Sequence, residues 1–389
     1  MSVYDIIIIG AGAAGLSAAR VAIADNKKIL ILEMSNTPAR KVEISGGGRC
    51  NITNLAVNYD RYFGSNPRFV QSAISKVKPT DILSWANKHN LHPVEEKTYG
   101  RFFCDAGANA VKNALLCDIK LEQIIYNAKV TEINKQDDLF CVLADDNKYY
   151  SKSVIVATGG TSFDSVGVSD IGYKIAKHFG HKIVPVRPAL CAIKTKYFPS
   201  DFSGTSVPVE ISIEKNKIRD DMLFTYFGIG GPAAYRASLY DINTGIYINL
   251  LPDIDIANVL INAKSTNGRK TISSILSGYL PVRIAKWIVN EDTRHIADIK
   301  NDEIKTVAHN IHKIFIPKED IKYYTLKSAE VVRGGVSTDE ISSKTMESKL
   351  CKNLFFVGEV LDIAGDLGGF NLHWAWASGI VAGQFAPSE

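Results

Sequence analysis

Gly10, Gly12 and Gly15 stand in the spacing G-x-G-x-x-G, and a carboxylate, Glu33, follows 23 residues after the first of them. Ahead of the glycines runs Val3-Tyr4-Asp5-Ile6-Ile7-Ile8-Ile9. Behind them come an alanine-rich stretch and a second apolar run, Ile29-Leu30-Ile31-Leu32, which ends at the acid. Strand, glycine turn, helix, strand and acid in that order form the context in which this motif binds a dinucleotide. Gly10 permits the tight turn, Gly12 lets the backbone approach a pyrophosphate, and Gly15 lets helix and sheet pack closely. The helix N-terminus, Ala13 and Ala14 included, offers unpaired N–H groups and a partial positive charge to the phosphates. Glu33 is placed to accept both hydroxyls of an adenosine ribose, and its charge would repel a 2′-phosphate.

Beyond this unit the chain carries few groups of independent catalytic character. Its six cysteines, Cys50, Cys104, Cys117, Cys141, Cys191 and Cys351, form no C-x-x-C pair, which excludes an adjacent redox disulfide and a zinc ribbon. No paired metal ligands and no Ser-His-Asp context stand out, so no metal is expected. Gly228-Ile229-Gly230-Gly231-Pro232 lacks the spacing and strand–acid context of a second fingerprint, so NAD(P)H would dock only transiently. Lys and Arg number 45 against 41 Asp and Glu, a formal charge of +4 with the basic residues dispersed. That balance predicts no nucleic-acid partner. Residues 6–24 are mostly apolar, but Gly10, Gly12, Gly15 and Arg20 interrupt them and no basic segment precedes them. Neither a membrane span nor a secretory signal is expected, and reduced thiols then point to the cytoplasm.

The elements that must position these residues can be read from apolar spacing. Residues 67–92 and 107–117 read as helices, with Ile74, Val77, Ile82, Leu83 and Trp85 on one face of the first. Residues 128–133 and 139–143 read as paired strands about the Asp137-Asp138 turn, with Lys148-Tyr149-Tyr150 as a third. Ser153-Val154-Ile155-Val156-Ala157 has a buried-strand pattern that stops at Thr158-Gly159-Gly160, and residues 170–180 read as a helix. From about Pro185 the texture changes to short alternating strands, then over residues 253–317 to helical spacing. Strand character returns at Ala329–Val332, and the chain closes with a strand, Leu354–Val357, a loop and an apolar helix from Phe370. This order predicts an α/β fold. A Rossmann-like domain of residues 1–185 and 341–389 is interrupted by a β insert of residues 186–250 and 318–340, which holds a helical insert of residues 251–317.

Three further segments have motif character. Arg40-Lys41-Val42-Glu43-Ile44-Ser45-Gly46-Gly47-Gly48-Arg49-Cys50-Asn51 is a basic, glycine-rich loop, and Ala157-Thr158-Gly159-Gly160 closes a strand. Phe356-Val357-Gly358-Glu359-Val360-Leu361-Asp362 and Gly368-Gly369-Phe370-Asn371 close the chain. With Tyr99-Gly100-Arg101, Phe224-Thr225-Tyr226-Phe227-Gly228 and Arg333-Gly334-Gly335-Val336, they resemble, nearly end to end, the YhiN/BaiN-type bacterial flavoprotein family of NAD(P)/FAD-dependent, aminoacetone-oxidase-like oxidoreductases.

The resemblance implies extended FAD in a glutathione-reductase-type fold, with a β-barrel-like insert carrying a small helical domain. It implies Arg40 and Lys41 near the pyrophosphate, and Ser45, Gly46, Gly47, Gly48, Arg49, Cys50 and Asn51 against the flavin. Thr158 and Gly159 would pass under the adenine-ribose side, with Val130, Ala157 and Gly160 among the cofactor-binding residues. Asp362, with Gly358 and Glu359, would hold the ribityl chain or its phosphates, and Gly369, Phe370 and Asn371 the flavin pyrimidine edge.

The chain departs from the family pattern at His373, usually Gln, at Tyr226 and Gly230, usually His and Ser, and at Cys104, usually Pro. His373 has two readings, a proton shuttle beside the flavin or a packed histidine; Cys50 is either a thiol near the isoalloxazine or a small packing residue. The function expected is hydride transfer between FAD and a small organic substrate, with NAD(P)H as a transient donor. An oxygen-using amine oxidase and a non-catalytic flavin-binding sensor are the alternatives.

Overall fold

The structure, a computed structural model, describes residues 3–96, 100–163 and 167–387; Tyr99 of the Tyr99-Gly100-Arg101 motif lies outside them. The chain divides into two units, residues 1–188 with 326–389, and residues 189–325.

The first unit is built on a sheet in which Val3–Ile9 runs parallel between Ile29–Leu32 and Asn147–Val156. Ile6, Ile7 and Ile8 are wholly buried, because helices cover both faces of a parallel sheet and both sets of side chains must be apolar. Ile124–Ile125 extends the sheet beyond Ile29–Leu32 and Leu354–Phe356 beyond Asn147–Val156, all parallel. The segments read separately as 148–150 and 153–157 form one strand, Asn147–Val156. Its first half pairs antiparallel with Leu139–Ala144 and its last residues parallel with Leu354–Phe356, so one strand serves two partners on one side.

The first helix, Ala13–Ala24, rests on the C-terminal helix, Phe370–Phe385. A Cβ at Gly379 would lie 2.2 Å from the Ala14 carbonyl oxygen and one at Gly383 2.5 Å from that of Ala18, so only glycine allows this approach. Buried Lys27 donates through Nζ to the carbonyls of Gly383 (2.9 Å) and Gln384 (3.2 Å), a cation at a helix C-terminus.

The helix expected over residues 67–92 is broken. Gln71–Lys76 and Pro79–Lys88 are separate helices, since Pro79 has no N–H to continue the first and instead starts the second. The break frees the Val77 carbonyl, and the His373 ring uses it.

In the second unit, seven antiparallel strands lie in one sheet among the described residues, with Ile314–Pro317 and Lys322–Tyr323 as its two outer strands. These edges are joined through residues 318–321 alone, a connection short enough to hold them near one another. The boundaries expected at 250/251 and 317/318 do not separate bodies. Ile256, Leu260, Ile284 and Ile304 of the helices share one apolar core with Ile211, Ile246 and Ile248 of the strands. Trp287 on the helix Val282–Ile288 packs edge-on against Phe202, and Phe202 against Phe224 on the strand Asn216–Thr225. Apolar period marks the kind of element; whether two kinds share a core depends on which faces meet.

Candidate dinucleotide site

The glycine turn follows the first strand directly. Gly10 has φ +103° and donates its N–H to the Leu32 carbonyl at 2.9 Å. A Cβ there would lie 2.6 Å from the Ala157 carbonyl oxygen, and one at Gly15 would lie 2.0 Å from that of Gly10. Gly12 differs, since a Cβ would meet nothing within 4 Å. The helix it opens has no side-chain cap and no acid in its first turn, which leaves the N–H groups of that turn for a phosphate.

Glu33 shapes the turn. Its Oε2 accepts the Ala11 N–H at 2.7 Å, and its Oε1 accepts the N–H and hydroxyl of Ser35 at 2.8 and 2.5 Å. It remains half-buried. A cavity of about 650 Å³ lined by Met34, Lys129, Val130, Thr131 and Asp170 starts at the next residue along and has room for an adenine.

Lys41, on the short helix Arg40–Ile44, donates to Glu359 Oε2 at 2.8 Å and to Ser162 Oγ at 3.0 Å. Its charge is already balanced by protein. Glu359 also accepts the N–H groups of Gly160 (3.3 Å) and Val332 (3.0 Å), so it ties four segments together. Asp362 is buried, accepting from the Ser65 N–H and hydroxyl on one oxygen and the Gly334 N–H on the other. The geometry gives these two acids the work of ordering loops. Gly358 donates to Ser378 Oγ and accepts from Trp374 Nε1, fastening the same loop to the last helix.

Ser45 donates to the Val42 carbonyl and opens the glycine run. Gly46, Gly47 and Gly48 have φ of +57°, +66° and +86°. A Cβ at Gly46 would strike the Phe103 ring at 2.8 Å, whereas at Gly47 and Gly48 it would meet nothing within 4 Å, so the loop has one packed side and one open side. Arg49 lies over the Phe103 ring and beside Asp105. Cys50 and Cys104 are buried, and burial pushes both thiols up to about 12, so both stay protonated and unreactive.

At the other end, a Cβ on Gly369 (φ +96°) would lie 2.6 Å from the Thr53 carbonyl oxygen, and the last helix begins there without a cap or an acid. Asn371 exchanges two hydrogen bonds with the backbone of Gly365, and the Asn51 amide accepts the Gly369 N–H at 3.2 Å. Tyr62 donates to the Phe370 carbonyl. His373 is fully buried: Nε2 lies 3.0 Å from the Val77 carbonyl, which needs a donor, so Nδ1 accepts from Thr53 Oγ1 at 2.8 Å. Desolvation holds its pKa down at about 4. Both nitrogens are satisfied within the protein, so the ring is a packed one and the proton shuttle finds no support in its position. Tyr226, in the second unit, is 73% exposed beside Phe227, which stacks on Tyr324.

Sequence reasoning passed over Glu330. Its side chain is exposed, yet protein surrounds it closely enough that desolvation pushes its carboxyl up to about 7, with the Arg101 guanidinium partly offsetting this. The single acid in Ser328-Ala329-Glu330-Val331-Val332, just before the Gly334-Gly335 motif, was the available signal.

The parallel sheet, the glycine turn with its free helix N-terminus, Glu33 and the open-faced glycine loop define a Rossmann-type, FAD-dependent oxidoreductase. The chain belongs to the family described as HI0933-like protein Rossmann domain, whose pattern matches residues 4–385. It is 36% identical to a ribosomal RNA dihydrouridine synthase of Haemophilus influenzae, covering 97% of each chain. It is 32% identical to a ribosomal RNA dihydrouridine synthase of Escherichia coli over 99% of this chain and 98% of the other. A 3-dehydro-bile acid delta(4,6)-reductase of Clostridium scindens is 28% identical over 98% of each. Among the described residues no helix is long and apolar enough to cross a membrane.

Proposed function

We propose that this chain saturates a carbon–carbon double bond conjugated to a carbonyl, with a uracil ring of ribosomal RNA as substrate and FAD as the hydride carrier. The observation that carries the reading is the pair of relatives, 36% and 32% identical over nearly their whole lengths, both described as ribosomal RNA dihydrouridine synthases. Dihydrouridine is uridine with its C5=C6 bond saturated. The more distant bile-acid reductase is likewise described by the reduction of ring double bonds, so the three share a type of reaction while their substrates differ. This favours reduction over the amine-oxidase and sensor alternatives. It also replaces the small-molecule substrate and the absence of a nucleic-acid partner inferred from a net charge of +4, because local contacts can position RNA without a strongly basic chain.

FAD, when bound, supplies two electrons as a hydride. The chain would hold its pyrophosphate at Gly12 and the first helix N-terminus, its ribose at Glu33 and its flavin against Gly47, Gly48 and the Gly368–Gly369 turn. In this reading a reduced nicotinamide is the donor, docking without a second fingerprint.

The test incubates FAD-loaded protein anaerobically with NADH or NADPH and ribosomal RNA from a strain lacking the gene. Dihydrouridine is quantified by mass spectrometry, with a 3-oxo bile acid run in parallel. Dihydrouridine at a defined position supports the reading. Reduction of the bile acid alone, or of neither, overturns it.

A further inference from the structure

Three short strands run side by side in the sheet of the second unit. Ile193–Lys194 lies between Gly228–Gly230 and Lys322–Tyr323, antiparallel to both. The Thr195 N–H donates to the Phe227 carbonyl at 3.0 Å and the Tyr324 N–H to the Ala192 carbonyl at 2.9 Å, which carries the pairing one residue past the strands. Ile193 is paired with Ile229 and Tyr323 and packs with them in the apolar core. Its neighbour Lys194 therefore points to the outer side, where it is paired with Gly228 and Lys322. Both lysines are exposed.

Two lysines directly opposite each other repel and weaken the pairing of their strands. No acid relieves them, since neither amine makes an ion pair among the described residues. Gly228 brings no counter-charge from the other side and admits no side chain, because a Cβ there would lie 2.3 Å from the Ile193 carbonyl oxygen. The Lys194 amine lies instead over the Tyr324 ring, 4.8 Å from its centroid. Tyr324 stacks on Phe227 with centroids 4.4 Å apart and planes 13° apart, and Tyr226 stands at 89° to Phe227 at 4.9 Å. Tyr226 is thus steadied by one ring neighbour while most of its own surface stays in water.

A large ring left in water beside uncompensated cations calls for a partner with a flat face and a negative charge. A nucleobase supplies the face and its phosphodiester the charge. An acidic peptide would satisfy the lysines and leave Tyr226 with nothing to stack on, and an apolar protein surface would bury the lysines unpaired. Bases in a duplex already stack on one another, so the strand must be single. We infer that the outer face of these strands is a platform for single-stranded RNA, with Tyr226 stacking on a base and Lys194 and Lys322 receiving the adjoining phosphates. This rests on the reading of ribosomal RNA as the substrate. Every base has a π face, so the platform grips the strand without selecting the uridine.

Fluorescence anisotropy of FAD-loaded protein with a labelled single-stranded RNA of about 12 nucleotides tests it. Tyr226→Ala should weaken binding about 5- to 100-fold with FAD content unchanged. Tyr226→Phe, which keeps the ring, should bind like wild type, as should Tyr247→Ala, at an exposed ring elsewhere on the same sheet. Lys194→Gln combined with Lys322→Gln should lower the slope of log affinity against log salt by about 1.4, two phosphates at about 0.7 each. The platform is overturned by a wild type that binds no RNA, by unchanged affinity in Tyr226→Ala, by an equal loss in Tyr247→Ala, by an unchanged salt slope, or by polyglutamate displacing the RNA at equal affinity. Dihydrouridine formation separates this from the reaction. Tyr226-dependent binding by a wild type that forms no dihydrouridine overturns uridine reduction and supports the platform. Dihydrouridine formed by Tyr226→Ala with the KM and RNA affinity of wild type overturns the platform and leaves uridine reduction standing.

Discussion

Lys41 Nζ lies 2.8 Å from Glu359 Oε2, so the cation beside the glycine loop is paired with an acid 318 residues further along the chain. The pair joins the Arg40–Ile44 helix to the loop before the last helix. Glu359 is more buried than Lys41, at 18% against 33% side-chain exposure, and would be left without its counter-charge if the lysine were removed.

Lys41→Met should therefore destabilise the protein by about 1–2 kcal/mol, below the cost of breaking a fully buried pair because solvent reaches both partners. Urea unfolding with FAD removed reads this directly. A variant as stable as wild type would show that Gly160, Val332 and Ser162 suffice for Glu359.

Two glycines should separate folding from cofactor binding. Gly12→Ala places a methyl in open space, so the stability of the FAD-free protein should stay within about 0.5 kcal/mol of wild type. FAD affinity should fall, since the methyl occupies the pyrophosphate's approach. Gly379→Ala drives a Cβ to 2.2 Å from a backbone oxygen that cannot turn aside. It should cost about 1–3 kcal/mol or more of stability, as overpacking does. Denaturant midpoints and FAD titrations of both variants check the contrast.

Glu33→Ala removes the acceptor of the Ala11 N–H as well as the ribose partner. Loss of charge-assisted hydrogen bonds of this kind costs about 1.5–3 kcal/mol, so FAD retention should drop about ten- to a hundredfold. Equilibrium dialysis measures it.

His373 sets a stability window at acid pH. Its folded pKa of about 4 lies below the ordinary 6.5, so the unfolded chain binds the proton first. The contribution is complete above pH 6.5 and is lost as pH falls toward 4, for a total of about 3 kcal/mol. His373→Gln should flatten this part of the stability–pH curve. Rates of flavin reduction between about pH 5 and 8 should superimpose for the two proteins, because no free ring nitrogen faces the site.

Replacing residues 251–317 with a short linker should yield insoluble protein. The deletion strips Ile256, Leu260, Ile284 and Ile304 from a core shared with the strands and exposes Ile211, Ile246 and Ile248. Soluble, FAD-replete protein would show that the sheet can close over its own apolar face.

What could be read from the residues alone follows how local each cause is. Gly10, Gly12, Gly15 and Glu33 act within one strand–turn–helix unit, so their spacing announces them. The break at Pro79 was local too, yet it was covered by apolar residues at helical spacing on both sides. Lys41–Glu359 and the His373–Val77 bond join distant segments, and nothing in the sequence near either residue names its partner. Glu330 was invisible for a different reason: how strongly an acid is desolvated depends on protein that is distant in sequence. The single core of residues 189–325 was hidden because period reports the kind of element and not its neighbours.

The close seating of Ala14 and Ala18 on Gly379 and Gly383 has a consequence for the order of synthesis. The helix that carries the pyrophosphate turn leaves the ribosome long before the helix that backs it. Until residues 370–385 are made, the apolar side of Ala13–Ala24 and the amine of Lys27 have no surface to rest on. Cofactor loading is thereby tied to synthesis of residues 370–385, and a truncated product ending before Phe370 should emerge colourless.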